Sequence, residues 1–225
     1  MVPANENTDF AARRRALVSS LRPEINDQRL IEAMGRVERE SFLTPDQRPY
    51  AYEDRPLPIG HGQTISKPSV VARMLELLMH GAQARSSGSL GRVLEIGTGC
   101  GYQAALLGRL ARHVVSVERL KPLHDKARDL LAPLRQSHLR LVYGDGMRGH
   151  APNAPYDSIV AAAGGEALPP AWLEQLAIGG RLVAPLHEPG SSRQVLVVVD
   201  RTEQGYAHGV HEAVKFVPLK SGLVA

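Results

Sequence analysis

Three carboxylates and a serine stand out in this 225-residue chain because of what surrounds them. Glu95 comes immediately before a run of alternate glycines, Gly97, Gly99 and Gly101. Glu118 lies 19 residues beyond Gly99, and Asp145 sits between Gly144 and Gly146. Glycines at such a turn let the backbone bend tightly and lie close to a ligand, with the following helix N-terminus facing it. An acid after the next strand is placed to take ribose hydroxyls, and one flanked by glycines after a third strand suits an exocyclic amine on a base. Ser66 falls just before a proline-led apolar stretch, where amide groups and a hydroxyl can together hold a carboxylate. It also stands where an N-cap would, and the two roles are compatible. His61, between Gly60 and Gly62, reads as a loop hydrogen-bonder rather than a base.

The elements that must position these groups follow from periodicity. Val93, Leu94 and Ile96 form a short buried strand, and Tyr102 to Arg112 spaces its apolar residues as a helix. His113 to Val117 is a strand ending at Glu118, Pro122 to Leu134 a helix, and Leu139 to Tyr143 a strand ending at Gly144-Asp-Gly146. Asp157 to Ala163, Arg181 to Pro185, Gln194 to Asp200 and Ala213 to Val217 read as further strands, with a helix over Pro170 to Leu176 and a turn near Glu203 to Gly205. Strands alternating with helices predict an α/β fold: a Rossmann-like, doubly wound, mainly parallel sheet with helices on both faces. Ligands then bind at the carboxyl ends of the strands, where Gly97 to Gly101, Glu118 and Asp145 all fall.

Ahead of this core the sequence predicts an N-terminal helical lobe over about 1–80. Residues 1–9 are expected as a frayed tail, followed by helices over Phe10 to Leu21, Asn26 to Val37 (with Asn26 as cap) and Pro68 to Met79. Ser41 to Pro58 is rich in proline and aromatic residues and reads as an irregular covering segment. Gly81 to Gly91, containing Ser86-Ser-Gly-Ser89, is expected as a flexible connection to a core over about 91–225, the whole 1–225 forming one domain.

Composition narrows the class. With 43% hydrophobic and 22% charged residues, the chain has the balance of a soluble globular protein. No apolar run approaches the roughly 18 residues needed to cross a bilayer, and the polar, then basic, N-terminus lacks a secretory pattern. A single cysteine, Cys100, suits a reducing cytoplasm. The net charge of +4 comes from scattered residues, Arg13-Arg14-Arg15 being the only run of three, so neither nucleic acid nor membrane is expected as a partner.

Gly99, Gly101 and Ala104 satisfy the weaker form of the dinucleotide fingerprint, so pattern alone leaves a nicotinamide dinucleotide open. Against it stand the acid at Glu95, where such strands are usually apolar, the Asp145 turn, and a second half too short for a nicotinamide-binding unit. An acid near a cationic amino-acid end, an acid on the ribose and an acid near the base together fit S-adenosyl-L-methionine.

On particular stretches the chain resembles the class I methyltransferases and, more narrowly, the protein-L-isoaspartate O-methyltransferases. They are Leu57-Pro-Ile-Gly-His-Gly-Gln-Thr-Ile-Ser66, Val93-Leu-Glu-Ile-Gly-Thr-Gly-Cys-Gly-Tyr-Gln-Ala104, Ser116-Val-Glu-Arg119, Gly144-Asp-Gly146, Ala154-Pro-Tyr-Asp157, Gly179-Gly-Arg-Leu-Val183 and Phe216-Val-Pro-Leu219. The resemblance spans roughly residues 10 to 225. It departs at Cys100, Lys67, Met147 and the long 81–91 connection, none of which removes a group the chemistry needs. It implies methyl transfer from S-adenosyl-L-methionine to the α-carboxylate of L-isoaspartyl residues in damaged proteins and peptides. No metal site is read from the sequence, a cytoplasmic setting follows from the composition above, and nothing demands more than a monomer. The resemblance further implies that Ser66, with Thr64, Ile65 and Lys67, holds the acceptor. Glu95, Gly97, Thr98, Gly99 and Gly101 would line the methionine end, Glu118 the ribose, and Asp145 with Gly146 the adenine. Val214 and Val217 would offer backbone bonds to the peptide.

Rival readings differ in testable residues. An amino-methylating nucleic-acid enzyme would carry an aromatic residue after the fourth strand, where the chain reads Ala161-Ala-Ala-Gly-Gly-Glu-Ala-Leu-Pro-Pro170. A cytosine-C5 enzyme would need a cysteine there. A small-molecule carboxylate methyltransferase is the remaining alternative, and Gln63 to Ser66 argues against it. A non-enzymatic cofactor-binding module would bind without transfer.

Overall fold

The computed structural model describes residues 9–225. The tail expected over residues 1–9 therefore lies, apart from Asp9, outside the described residues. Asp9 caps the first helix, α1 (Phe10–Leu21), its carboxylate accepting from Ala12 N at 2.8 Å. The second helix, α2 (Gln28–Arg36), is capped by Asp27 and not by Asn26: the Asp27 side chain accepts from the amides of Arg29 and Leu30. Asn26 is held instead through its main-chain N–H, which donates to the buried Glu76 at 2.9 Å.

The covering segment is irregular apart from single 3-10 turns at Arg39–Phe42 and Arg48–Tyr50. It leads into a hairpin absent from the sequence reading: β1 (Leu57–Gly60) pairs antiparallel with β2 (Gln63–Ile65). Leu57, Ile59 and Ile65 point inward, and Gly60-His61-Gly62 turn between the strands with positive φ at all three. Helix α3 (Pro68–Met79) follows, with the limits its apolar spacing predicts. The stretch 81–91 is not a flexible connection. Helix α4 (Ala82–Ser87) ends at Gly88 in the left-handed conformation, Ala84 and Leu90 are buried, and Leu90 N donates to Leu110 O at 2.9 Å.

The core contains β3 (Arg92–Ile96), α5 (Tyr102–Leu110), β4 (His113–Glu118), α6 (Lys121–Leu131), β5 (Leu139–Tyr143), β6 (Tyr156–Ala161), α7 (Pro170–Gln175), β7 (Leu176–His187), β8 (Gln194–Thr202) and β9 (Gly205–Val214). The sheet runs β5-β4-β3-β6-β7-β8-β9, parallel from β5 to β7 and antiparallel beyond. Neighbouring residues of a strand serve opposite faces. Val93, Val114 and Val183 pack with α2, α3, α5 and α6, whereas Leu94, Val115 and Leu182 pack around Trp172 of α7. Two strands differ from expectation. β7 continues through Gly179-Gly180, and β9 spans 205–214 rather than 213–217 because this edge strand is largely exposed and carries little apolar alternation.

The order reverses between β3 and β6. That is the switch point at whose carboxyl edge α/β sheets bind ligands.

Candidate active site

At the carboxyl end of β3 the chain turns through Gly97 and Gly101 with φ of +89° and +95°, conformations that L side chains rarely adopt. Gly97 N donates to Val117 O at 2.8 Å, tying the turn to β4. Beneath it runs a buried polar chain. Thr98 Oγ1 lies 2.6 Å from Ser116 Oγ, which donates to Glu95 Oε2 at 2.5 Å. Glu95 is wholly buried, and its other oxygen, Oε1, has no partner among the described residues. Burial pushes its carboxyl up to about 8; the nearby Glu118 charge adds to the effect, while Ser116 and Gln103 oppose it. Gln103 stands close without closing a hydrogen bond, and its Nε2 is likewise buried and unpartnered.

Glu118, at the end of β4, is fixed quite differently. Its Oε2 accepts from Gly99 N and its Oε1 from Leu120 N, both at 2.9 Å. Asp145, after β5, also has both oxygens engaged: Oδ1 accepts from Met147 N at 3.0 Å and Oδ2 from Gly222 N at 2.8 Å. The C-terminal segment thus lies along this edge. Arg119 donates to the carbonyls of Ser221 and Gly222, and Val224 bridges to Leu120.

The opposite wall is the β1–β2 hairpin and the start of α3. Ser66 is not the cap of that helix: Lys67 occupies the N-cap position and no side chain caps from there. Asp54 does part of that work from the covering segment, accepting from Ser69 N at 2.8 Å and pairing with Lys67 at 3.7 Å. The helix start therefore offers fewer free amides than the spacing suggested, since Pro68 has none. The Ser66 hydroxyl makes no hydrogen bond among the described residues, although the residue lines the cleft.

The two walls enclose a cleft of about 450 Å³, within the roughly 300–1,000 Å³ of small-molecule sites. It brings together Thr64, Ile65, Ser66, Gly97, Thr98, Gly99, Glu118, Gly146 and Val217. Five other expected residues lie outside its lining. Glu95 is beneath the floor. Gly101 faces α6, where an added Cβ would meet Leu131 at 3.0 Å. Asp145 is taken up by Gly222, Lys67 pairs outward with Asp54, and Val214 ends β9 in register with Gln194. Cys100 reaches the cleft, but burial raises its thiol pKa, which makes it a poor nucleophile. The sequence reading assigned no role to Ile59, Gln103, Ala162 or Leu219, which also line the cleft. Only proximity in the fold reveals them. Among the described residues no cluster suited to a metal occurs.

A cofactor with an amino-acid end, a ribose and a base fits these surroundings. Glu95 Oε1 and Gln103 Nε2, without partners among the described residues, mark the floor as polar. At Gly99 an added Cβ would approach Ile59 Cδ1 of the opposite wall to 3.3 Å, narrowing the passage between them.

Comparison with known proteins agrees. Residues 12–223 match the family model described as protein-L-isoaspartate(D-aspartate) O-methyltransferase. The chain belongs to this family. It is 57% identical over 221 residues to the protein-L-isoaspartate O-methyltransferase of Leptothrix cholodnii, covering 97% of this chain and 77% of that one. The enzyme of the same name from Methylibium petroleiphilum is 56% identical, with 98% and 81% covered. A solved protein-L-isoaspartate O-methyltransferase superposes with a TM-score of 0.81 at 28% identity, over 93% of this chain and 67% of that one. A Plasmodium falciparum structure titled as a beta-aspartate methyltransferase, in complex with S-adenosyl-L-homocysteine, shares the fold at a TM-score of 0.79 and 22% identity, over 95% and 99%. The family model covers both walls, from residue 12 in α1 to Leu223, so the hairpin and the C-terminal segment are as much part of the match as the glycine turn.

Proposed function

We propose the following division of labour in the cleft. The enzyme transfers a methyl group from S-adenosyl-L-methionine to the α-carboxyl of L-isoaspartyl residues in damaged proteins and peptides. The ester so formed closes to a succinimide, from which hydrolysis returns some normal aspartyl linkage. The observation that carries the residue assignment is the Ser66 hydroxyl, without a partner among the described residues and lining the same cleft as the glycine turn. When bound, the cofactor supplies an electrophilic methyl group on a sulfonium.

The acceptor carboxylate is already ionised at neutral pH, so no general base is needed. The residues must instead align three atoms, which is a matter of positioning. Ser66 Oγ donates to one carboxylate oxygen, with Thr64 and Ile65 shaping the strand beside it. Gly97, Thr98 and Gly99 let the backbone approach the methionine end, with Glu95 and Gln103 beneath. Glu118, braced by two amides, presents its carboxylate edge to the ribose, and Gly146 lies under the base. Val217 borders the peptide side, while Lys67, Asp145 and Val214 act from just outside.

We further infer that residues 1–225 work as one domain, since one apolar cluster runs from Leu17 in α1 to Val198 in β8. A monomer in the cytoplasm, without nucleic-acid or membrane partners, is supported by the scattered basic charge and the free, buried Cys100. Among the described residues no helix is long and apolar enough to cross a membrane.

The test uses radiolabelled S-adenosyl-L-methionine and two synthetic peptides differing only in one isoaspartyl versus aspartyl linkage. Base-labile label on the isoaspartyl peptide alone is expected. Label on neither peptide, with cofactor still bound, would sink the assignment and favour a small-molecule carboxylate acceptor.

A further inference from the structure

Arg39 is fully buried at the start of the 3-10 turn behind the acceptor wall. Its guanidinium touches three parts of the molecule. Nε donates to Ala51 O at 2.8 Å, Nη2 donates to Ser66 O at 2.9 Å, and the group lies 5.0 Å from the centre of the Tyr102 ring at the start of α5. The remaining nitrogen, Nη1, is buried without a partner among the described residues. None of the ion pairs found among the described residues involves Arg39.

A buried cation is normally paired, because removing it from water is costly. Burial lowers the Arg39 pKa, and the groups near enough to oppose that fall are Tyr102, Cys100, Tyr52 and Asp54. Burial raises the pKa of both tyrosines and of the cysteine, so these three are neutral at pH 7. Asp54 is half-exposed and already engaged with Lys67 and Ser69 N. Glu40, next in the chain, pairs with Arg14 and accepts from the Tyr52 hydroxyl. Guanidinium stays protonated at any working pH. A positive charge therefore lies one residue's main chain away from the Ser66 hydroxyl, with no anion paired to it among the described residues.

We propose that Arg39 is the counter-charge of the acceptor: a positioning residue that fixes the Ser66 main chain and biases the site toward an ionised carboxylate. This rests on the reading that the acceptor carboxylate binds at Ser66. A hydroxyl alone donates to a carboxylate or an amide oxygen alike. Preference between the two must come from charge, and an effectively desolvated charge acts over the length of one residue.

The test compares an isoaspartyl peptide with the same peptide bearing an α-carboxamide, both as competitive ligands in the presence of S-adenosyl-L-homocysteine. The wild-type protein is expected to prefer the carboxylate by about tenfold or more. Arg39→Gln and Arg39→Met should bring the two peptides close to parity, with cofactor-product affinity within about threefold of wild type. Arg39→Lys keeps the charge but not the two-carbonyl fork, and should keep most of the preference. A role confined to packing predicts the reverse: both peptides weakened equally and Lys no better than Met. If both neutral variants fail to fold, Arg39→Lys still decides, because loss of preference in that variant overturns the proposal. A wild-type protein that methylates the isoaspartyl peptide yet shows no preference also overturns it. Absence of methylation by the wild-type protein would instead remove the acceptor reading itself.

Discussion

On the cofactor wall of the cleft Glu118 has both carboxylate oxygens taken by main-chain N–H groups, whereas on the acceptor wall the Ser66 hydroxyl has no partner among the described residues and the guanidinium behind it has no anion among them. The first wall is built from strand ends and a glycine turn, so its shape comes with the sheet. The second is a hairpin of two short strands held against the core by Leu57, Ile59, Ile65 and the Arg39 fork. A ligand of fixed shape is suited by a preformed polar rim. An anion presented on many different peptides is better met by a donor and a charge left uncommitted, since these recognise the carboxylate whatever surrounds it. Glu95 departs from this scheme on the cofactor side, being buried with one oxygen unpartnered.

That departure gives the largest expected effect. With its pKa raised to about 8 by burial, Glu95 in the native protein holds a proton that the unfolded chain has released above about 4.5. The stability this contributes is full below pH 4.5 and is lost as pH rises through about 8. Between pH 5 and 8 the wild-type protein should lose on the order of 3 kcal/mol relative to Glu95→Gln. Parallel thermal melts of the two proteins check this, and curves of equal slope would mean that Glu95 is ionised in place.

The next effect lies on the acceptor wall. Ser66→Ala should lower turnover by about a hundredfold, by analogy with a lost oxyanion donor, while the melting temperature barely moves because the hydroxyl caps nothing. A stability loss with intact turnover would restore the capping role. On the cofactor wall, Glu118→Ala should weaken S-adenosyl-L-homocysteine about tenfold by calorimetry. It should also cost about 2 kcal/mol of stability, since the amides of Gly99 and Leu120 lose their acceptor. An unaltered dissociation constant would take Glu118 out of the ribose site.

The smallest effect tests whether the start of α3 shares in acceptor binding. Asp54→Ala should cost about 1 kcal/mol by releasing Ser69 N, as the loss of a cap does, with the KM for isoaspartyl peptide little changed. A markedly lower KM would show that the freed amide binds the carboxylate and that Asp54 competes with it.

The parts legible from residues alone were those whose signal is local. Apolar spacing placed α1 and α3 at their observed limits, and β3, β4 and β5 to within a residue. The positions of Gly97, Gly99 and Glu118 at strand ends followed from the alternation of strands and helices. The hairpin was missed although Leu57, Ile59 and Ile65 alternate around a glycine turn, because four- and three-residue strands are too short for period to separate them from a loop. The helix α4 was missed because Gly and Ser mark a linker unless something packs on it, and Ala84 does pack.

Residue order alone was enough for the alternation of strands and helices in the core, the edge of the sheet that binds ligand and the family to which the chain belongs, since each depends on periodicity or on motifs of adjacent residues. Which polar groups are spent and which are left emerged only from the folded arrangement. That Asp145 is engaged by Gly222, 77 residues on, that Asp54 rather than Ser66 serves the start of α3, and that Arg39 lies behind Ser66, 27 residues away, are pairings between distant segments. Hydrogen bonding and charge compensation depend on distances of a few ångströms in space, and one-dimensional spacing carries no record of them until packing brings the segments together.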